Sequence, residues 1–195
     1  RLPRAIRDVY KRQVMTIVIL FHKSGFRFFK YFYCHMIIPF WKSAFPKLLS
    51  YNRFIEIMPR CLQALSSFFH QVKGEDTGIC IIDSTKLVVC HNLRIKRHRV
   101  FKGLAGRGKS STGWFYGFKV HIVINNLGEI INLKITSGSV HDVAVLESLT
   151  QELKGILLGD KGYLSKAKTE ALAARGLRLL TPSRKNMKNK PIQTE

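Results

Sequence analysis

Two aspartates stand where metal-dependent chemistry could be done. Asp83 lies within Ile79 to Val89, ICIIDSTKLVV, and Asp160 within Leu157 to Leu164, LLGDKGYL. Each is delivered by a short apolar run, the pattern of a strand in a sheet covered on at least one side. An ionised carboxylate at the end of such a strand is costly to desolvate unless a cation or hydrogen-bond donors meet it. Two of them side by side repel unless a divalent cation sits between them, the arrangement that metal-dependent phosphoryl transfer needs. The competing reading is two unrelated loop aspartates.

The elements that must position these residues fall into two regions. Residues 14 to about 72 read as helices, with apolar and aromatic side chains at three- and four-residue steps: Ile17, Leu20, Phe21, then Phe28, Phe29, Phe32. Ser50 suits an N-cap before Phe54 and Ile55, Pro59 ends or kinks that helix, and Leu62, Leu65, Phe68 and Phe69 form the next stripe. Two short helices near Lys47 and Arg53 fit either a DNA-docking helix-turn-helix or a bundle whose stripe is only core. The loop VKGEDTG, Val72 to Gly78, divides a helical N-terminal region (1–72) from a second domain (73–195).

Beyond it the pattern is of strands. Ile79 to Val89 comes first, then Trp114 to Asn125, whose alternation sets Phe118, Val120, Ile122 and Ile124 against Lys119, His121 and Val123. Ile130 to Thr136 returns as a third strand of a β-meander. Asp142 is placed to cap a helix running through Leu149 and Leu153, which Gly155 stops. Ile156 to Gly159 is a further strand, Lys166 to Arg175 a helix, and Leu177 to Leu180 a last strand. This order predicts an α/β mixed sheet with flanking helices.

Lys and Arg outnumber Asp and Glu 33 to 12, a formal charge of +21, so the expected partner is a polyanion, nucleic acid first. At 46% hydrophobic the chain also has a real core to bury. Between the first two strands, His91 to Thr112 carries Arg94, Lys96, Arg97, Arg99, Lys102, Arg107 and Lys109 and no acid. It suits DNA-backbone contact, or is a solvated basic loop. Its glycines lack the spacing of a phosphate-binding loop, which excludes nucleotide hydrolysis. A second basic run, Arg184 to Lys190, closes the chain. Cys34, Cys61, Cys80 and Cys90 show no zinc spacing and read as reduced thiols of a cytosolic protein. The apolar run Val14 to Phe21 is too short to span a bilayer, so no membrane is expected. The basic stretch Arg1 to Gln13 has no clear apolar period. It reads as a natural arm or as extraneous to the protein, and the chain as a fragment.

IDSTKL, HNLRIKRH, RGKSSTGW, GFKVHIVIN, SGSVHD and GDKGY, in this order, resemble transposases of the IS982 family of bacterial insertion sequences, within the broader DDE group. The resemblance runs from Val14 to Pro191. It implies a ribonuclease-H-like catalytic domain preceded by a small helical region, with DNA (transposon ends and target) as partner. It further implies a homodimer and a bacterial cytoplasmic, nucleoid-associated location. Asp83 and Asp160 match the first two metal-binding carboxylates of a site for two Mg²⁺ ions, which Mn²⁺ can replace. Lys119 and Lys161 join the seven loop cations as candidate DNA contacts, Lys161 and Tyr163 beside Asp160. His121 shares the Lys119 face as a site-lining residue or a buried hydrogen-bonded one. His141 and Asp142 match the family's position before the helix.

In the family the third carboxylate is a glutamate on a later helix. Glu195 stands in no helical pattern, so the expectation is two ligands of three and little activity from these 195 residues alone. The implied reaction is cleavage at transposon ends and transfer of the 3′-hydroxyl strand to target DNA. The rivals are a non-catalytic basic DNA-binding protein and a ribonuclease-H-like nuclease that hydrolyses without joining.

Overall fold

A computed structural model describes residues 4–45 and 47–182, with the side chains of 4–8 left aside. Glu195 and the basic run Arg184 to Lys190 lie outside the described residues. The chain divides into two compact units, Arg1–Val72 and Lys73–Glu195.

The first unit is helical: α1 (Arg4–Lys23), α2 (Phe29–Phe32), a π-helical turn Tyr33–Ile37, α3 (Ile38–Phe40), α4 (Tyr51–Ile57), a 3₁₀ turn Met58–Cys61 and α5 (Leu62–Val72). Of the basic stretch before Val14, residues 4–13 turn out to be the first half of α1. Arg and Lys are good helix formers, and extending a helix already anchored downstream costs little. The anchors are Val14 and Ile17, buried with Phe32, Tyr33, Ile37, Phe45, Phe54 and Cys61. Each fully buried aliphatic or aromatic side chain contributes on the order of 1.5–3 kcal/mol. Ser50 caps α4 by accepting the Arg53 N–H, and Pro59 sits in the 3₁₀ turn that bends α4 into α5. Leu62 and Phe68 lie on the exposed side of α5, and Phe28, also exposed, precedes α2 as its N-cap.

The second unit is a six-stranded mixed sheet with helices flanking it. Its strands are β1 (Ile79–Cys90), β2 (Gly106–Ser110), β3 (Gly113–Asn125), β4 (Ile130–Ser137), β5 (Gly155–Gly159) and β6 (Leu177–Leu180); its helices are α6 (Asp142–Leu149) and α7 (Lys166–Ala174). The strands order as β2-β3-β1-β5-β6, with β4 also on β3. β3 pairs antiparallel with β1 along one edge. Its other edge is shared, β2 taking Gly113–Gly117 and β4 taking Phe118–Ile124. β1, β5 and β6 run parallel.

Helices α6 and α7 cover the face that carries Cys80, Ile82, Val123, Leu157 and Leu179, and Val145, Leu146, Leu149 and Leu172 complete that core. The covered face of β3 is therefore the one with Lys119, His121 and Val123, although the opposite set is more apolar. Asp76 fastens the start of the parallel pair: its carboxylate accepts the N–H groups of Gly78 and Lys154, both at 2.9 Å. The four cysteines are free thiols. Desolvation first, then the neighbouring Asp76, push the Cys80 thiol up to about 12. Among the described residues no helix is long and apolar enough to cross a membrane.

Three local expectations are corrected. The stretch after His91 is not a loop throughout: Asn92–Arg97 is a 3₁₀ turn and Gly106–Ser110 is β2. Asp142 is the first residue of α6, and the N-cap is His141. The helix ends at Leu149, with Thr150 as C-cap, so Leu153 reaches the core from a turn and Gly155 opens β5 at φ +86°.

Candidate active site

The β1–β5 ladder pairs Ile79 with Ile156 and ends at Ile82 with Gly159. The next residue on each strand is an aspartate. Neighbouring strands lie about 4.8 Å apart, so Asp83, still within β1, and Asp160, just past the end of β5, stand side by side. At that point β1 continues on β3 while the chain after β5 turns away through the 3₁₀ turn Lys161–Tyr163. Asp160 caps that turn by accepting the Lys161 N–H at 2.7 Å, and Asp83 accepts the Ser84 N–H at 2.7 Å. One backbone donor for each exposed carboxylate fixes its direction without neutralising it.

Both open into one cavity of about 390 Å³. Asp142 lines it too, brought in by α6. A methyl group placed on Gly162 would come within 3.0 Å of Asp142 Oδ2, so this carboxylate faces the turn that follows Asp160. Asp142 is held by Lys119 of β3, whose ammonium donates to its Oδ1 at 2.9 Å and to the Val140 carbonyl at 3.0 Å. That tertiary partner is why Asp142 does not act as a helix cap.

Beneath the carboxylates lies Tyr163, 1% exposed. Burial drives its pKa well above the ordinary phenol value, the negative charges of Asp142, Asp83 and Asp160 raise it further, and a hydrogen bond with Ser84 opposes them. Its hydroxyl therefore stays protonated. His121, fully buried, lies 3.4 Å from that hydroxyl through Nδ1 and 2.9 Å from Thr136 Oγ1 through Nε2. Burial lowers its pKa, and the positive charges of Lys119 and Lys134 add to that against the pull of Asp142.

Of the cations expected to meet DNA, Arg94, Lys96 and Arg97 sit on the 3₁₀ turn, Arg99 and Lys102 in the turns after it, and Arg107 and Lys109 on β2. All seven, and Lys161 beside Asp160, are exposed. Only Lys109 of the seven lines the cavity, its ammonium 5.9 Å from the centre of the exposed Trp114 ring. Lys119 differs: it is 13% exposed and engaged by Asp142.

Lys86, Ser110 at the end of β2, and Ser111 and Thr112 in the turn after it also line the cavity, and none of them stood out in the sequence. The period-two signal was present. Ser84 and Lys86 pair across the ladder with His121 and Lys119, so all four point to one face.

The donor set suits a hard divalent cation. Two carboxylates are what a Mg²⁺ site commonly takes from a protein, with water and substrate phosphate completing the octahedron. Among the described residues no three His, Cys, Asp or Glu side chains cluster closely enough to hold a metal ion by themselves.

Known proteins share this architecture. A solved structure of the piggyBac transposase synaptic complex with hairpin DNA superposes with a TM-score of 0.53 at 15% identity, over 95% of this chain and 43% of that one. The chain thus spans less than half the length of that transposase. No curated protein matches the sequence. The family described as "Transposase DDE domain" matches residues 73–195, the whole of the sheet unit with Asp83 and Asp160 in it, and the chain belongs to that family.

Proposed function

We propose that the protein is a DNA transposase of the IS982 type, with a ribonuclease-H-like catalytic domain that cuts transposon ends and joins the 3′-hydroxyl strand to target DNA. The observation that carries this reading is the register: Asp83 and Asp160 follow the last rung of a parallel ladder and open into one cavity. Asp83 and Asp160 are the residues that would hold Mg²⁺, or Mn²⁺ in its place. Bound there, divalent cations supply activation of the attacking hydroxyl and stabilisation of the leaving oxygen.

The chain's own groups serve the rest. The buried, protonated Tyr163 hydroxyl is a neutral neighbour of the three carboxylates and adds no charge to the site. Lys119 neutralises Asp142, so that the cavity is not a site of three uncompensated charges. Arg94, Lys96, Arg97, Arg99, Lys102, Arg107 and Lys109 offer an exposed basic run to the DNA backbone, where each neutralised phosphate releases counterions. The helical unit is assigned to transposon-end recognition, the partner to DNA, and the working form to a homodimer in the bacterial cytoplasm.

The test is a strand-transfer assay with labelled transposon ends and Mg²⁺, using the intact protein and its Asp83→Ala and Asp160→Ala variants. Metal catalysis is worth several kcal/mol, on the order of 10³-fold in rate, and each variant should lose about that much. Unchanged joining in either would overturn the metal assignment. Cleavage without joining would make the protein a nuclease.

A further inference from the structure

The cavity holds two lysines directly opposite each other across the β1–β3 ladder, Lys86 and Lys119. Like charges in that position repel. Lys119 has its anion in Asp142. Among the described residues no carboxylate pairs with Lys86. Its ammonium is held by two hydroxyls instead, Ser110 Oγ at 3.5 Å and Thr112 Oγ1 in closer contact. These hydroxyls lie 3.0 Å apart, and Ser110 also reaches the Gly113 carbonyl at 3.2 Å. The end of β2 and the tight turn after it thus bring two hydroxyls to Lys86 in the cavity that Asp83 and Asp160 also line.

We propose that Lys86, Ser110 and Thr112 form an oxyanion site for a backbone phosphate of the bound DNA strand, next to the phosphate at the aspartates. The inference rests on the transposase reading above and adds a binding site to it. The chemistry is complementary: a phosphate oxygen supplies the negative charge that Lys86 lacks, and a hydroxyl can rotate to donate to it. The setting on a strand and a tight turn fixes the site relative to the aspartates. A strand gripped there is held in register with the position at which it would be cut. Exposed loop cations give affinity without that constraint.

The experiment is DNA binding by the intact protein across a salt series, which reads phosphate contacts whether or not the protein is catalytically active. Lys86→Met should weaken binding to every sequence and lower the slope of log K against log salt by about 0.9 on duplex or about 0.7 on single strands. Lys86→Arg should restore the slope. Where Lys86→Met does not fold, Ser110→Ala with Thr112→Val tests the same site, with binding about tenfold weaker at fixed salt. An unchanged slope with Lys86→Met, or unchanged affinity with the double variant, overturns the proposal and leaves Lys86 a strut between β1 and the turn. Broadening of the ³¹P signal of inorganic phosphate by the wild type but not Lys86→Met, with the DNA slope unaltered, assigns the site to free phosphate and overturns the DNA assignment. Asp83→Ala should keep the wild-type slope. Failure of the metal reading therefore appears in strand transfer, and failure of this proposal in the slope.

Discussion

Asp83 and Asp160 are placed one residue beyond the last paired rung, Ile82 with Gly159, of two parallel strands. The register is fixed from below by Asp76, whose carboxylate bridges Gly78 before β1 and Lys154 before β5. Two carboxylates at one level on adjacent strands store repulsion, and a divalent cation removes it. Mn²⁺ should therefore raise the melting temperature of the wild type. At a hundred times Kd the gain is about 2.7 kcal/mol, or several degrees for a protein of this size. Asp83→Asn should abolish the shift and leave the metal-free melting point equal or higher. A metal-independent melting point in the wild type would show that the pair holds no cation. Calorimetric titration of Mn²⁺ gives the same comparison at constant temperature.

Lys119 and Asp142 form the partly buried pair that ties α6 to the centre of the sheet, at 13% and 22% side-chain exposure. Removing one partner strands the other in a poorly hydrated place, whereas removing both does not. The Lys119→Met, Asp142→Leu double variant should lose less stability than the two single variants added together, with a coupling of about 1–3 kcal/mol from denaturant unfolding. Additive losses would mean that the pair is only a surface contact.

This pair also shows where sequence legibility ends. The strands leading to Asp83 and Asp160 were readable because each begins as a short continuous apolar run, even though β1 buries only Cys80 and Ile82. Asp142 read as a helix cap because its local spacing fits one. It is claimed instead by a lysine on another strand, and no local pattern encodes that. β2 was unreadable for a related reason: GRGKS has little strand preference of its own and becomes a strand only through pairing with Gly113–Gly117. The alternation of β3 was plain but its orientation was not, since the covered face carries Lys119 and His121. Those polar groups are tolerated there because Asp142, Tyr163 and Thr136 satisfy them.

Gly117 is the point of closest approach between β1 and β3. A methyl group there would collide with the Leu87 carbonyl oxygen, a backbone atom that cannot rotate aside, next to the register shift between Val88 and Cys90. Gly117→Ala should cost at least about 2 kcal/mol, in the range of overpacked cores. The same substitution at Gly128, with open space around its Cβ position but φ +82°, should cost less, about 1 kcal/mol of left-handed strain. Equal losses by urea denaturation would mean that the collision is relieved by a backbone shift.

His121 links the charge network to pH. It is fully buried, hydrogen-bonded to Thr136 and near the Tyr163 hydroxyl, with Asp142 Oδ1 3.9 Å from Nδ1. Burial, the largest cause, lowers its pKa from the ordinary 6.5; Asp142 raises it, and Lys119 and Lys134 lower it. The unfolded chain therefore binds this proton at a higher pH than the folded one. The stability held by the neutral ring is complete above about pH 6.5 and is lost as pH falls through the folded value. Each proton taken up only on unfolding steepens the fall by up to about 1.4 kcal/mol per pH unit. Replacing the ring by Gln, which can still donate and accept, should flatten the acid limb between pH 6.5 and 5 while lowering stability at pH 8. His91, His98 and His141 belong to the same unit, so the comparison needs the direct reading as well: the ring resonances of His121 should titrate below pH 6.5. An acid limb of equal slope in wild type and His121→Gln, with His121 titrating at or above 6.5, would mean that Asp142 outweighs burial and that the pair carries a full ionic charge at neutral pH.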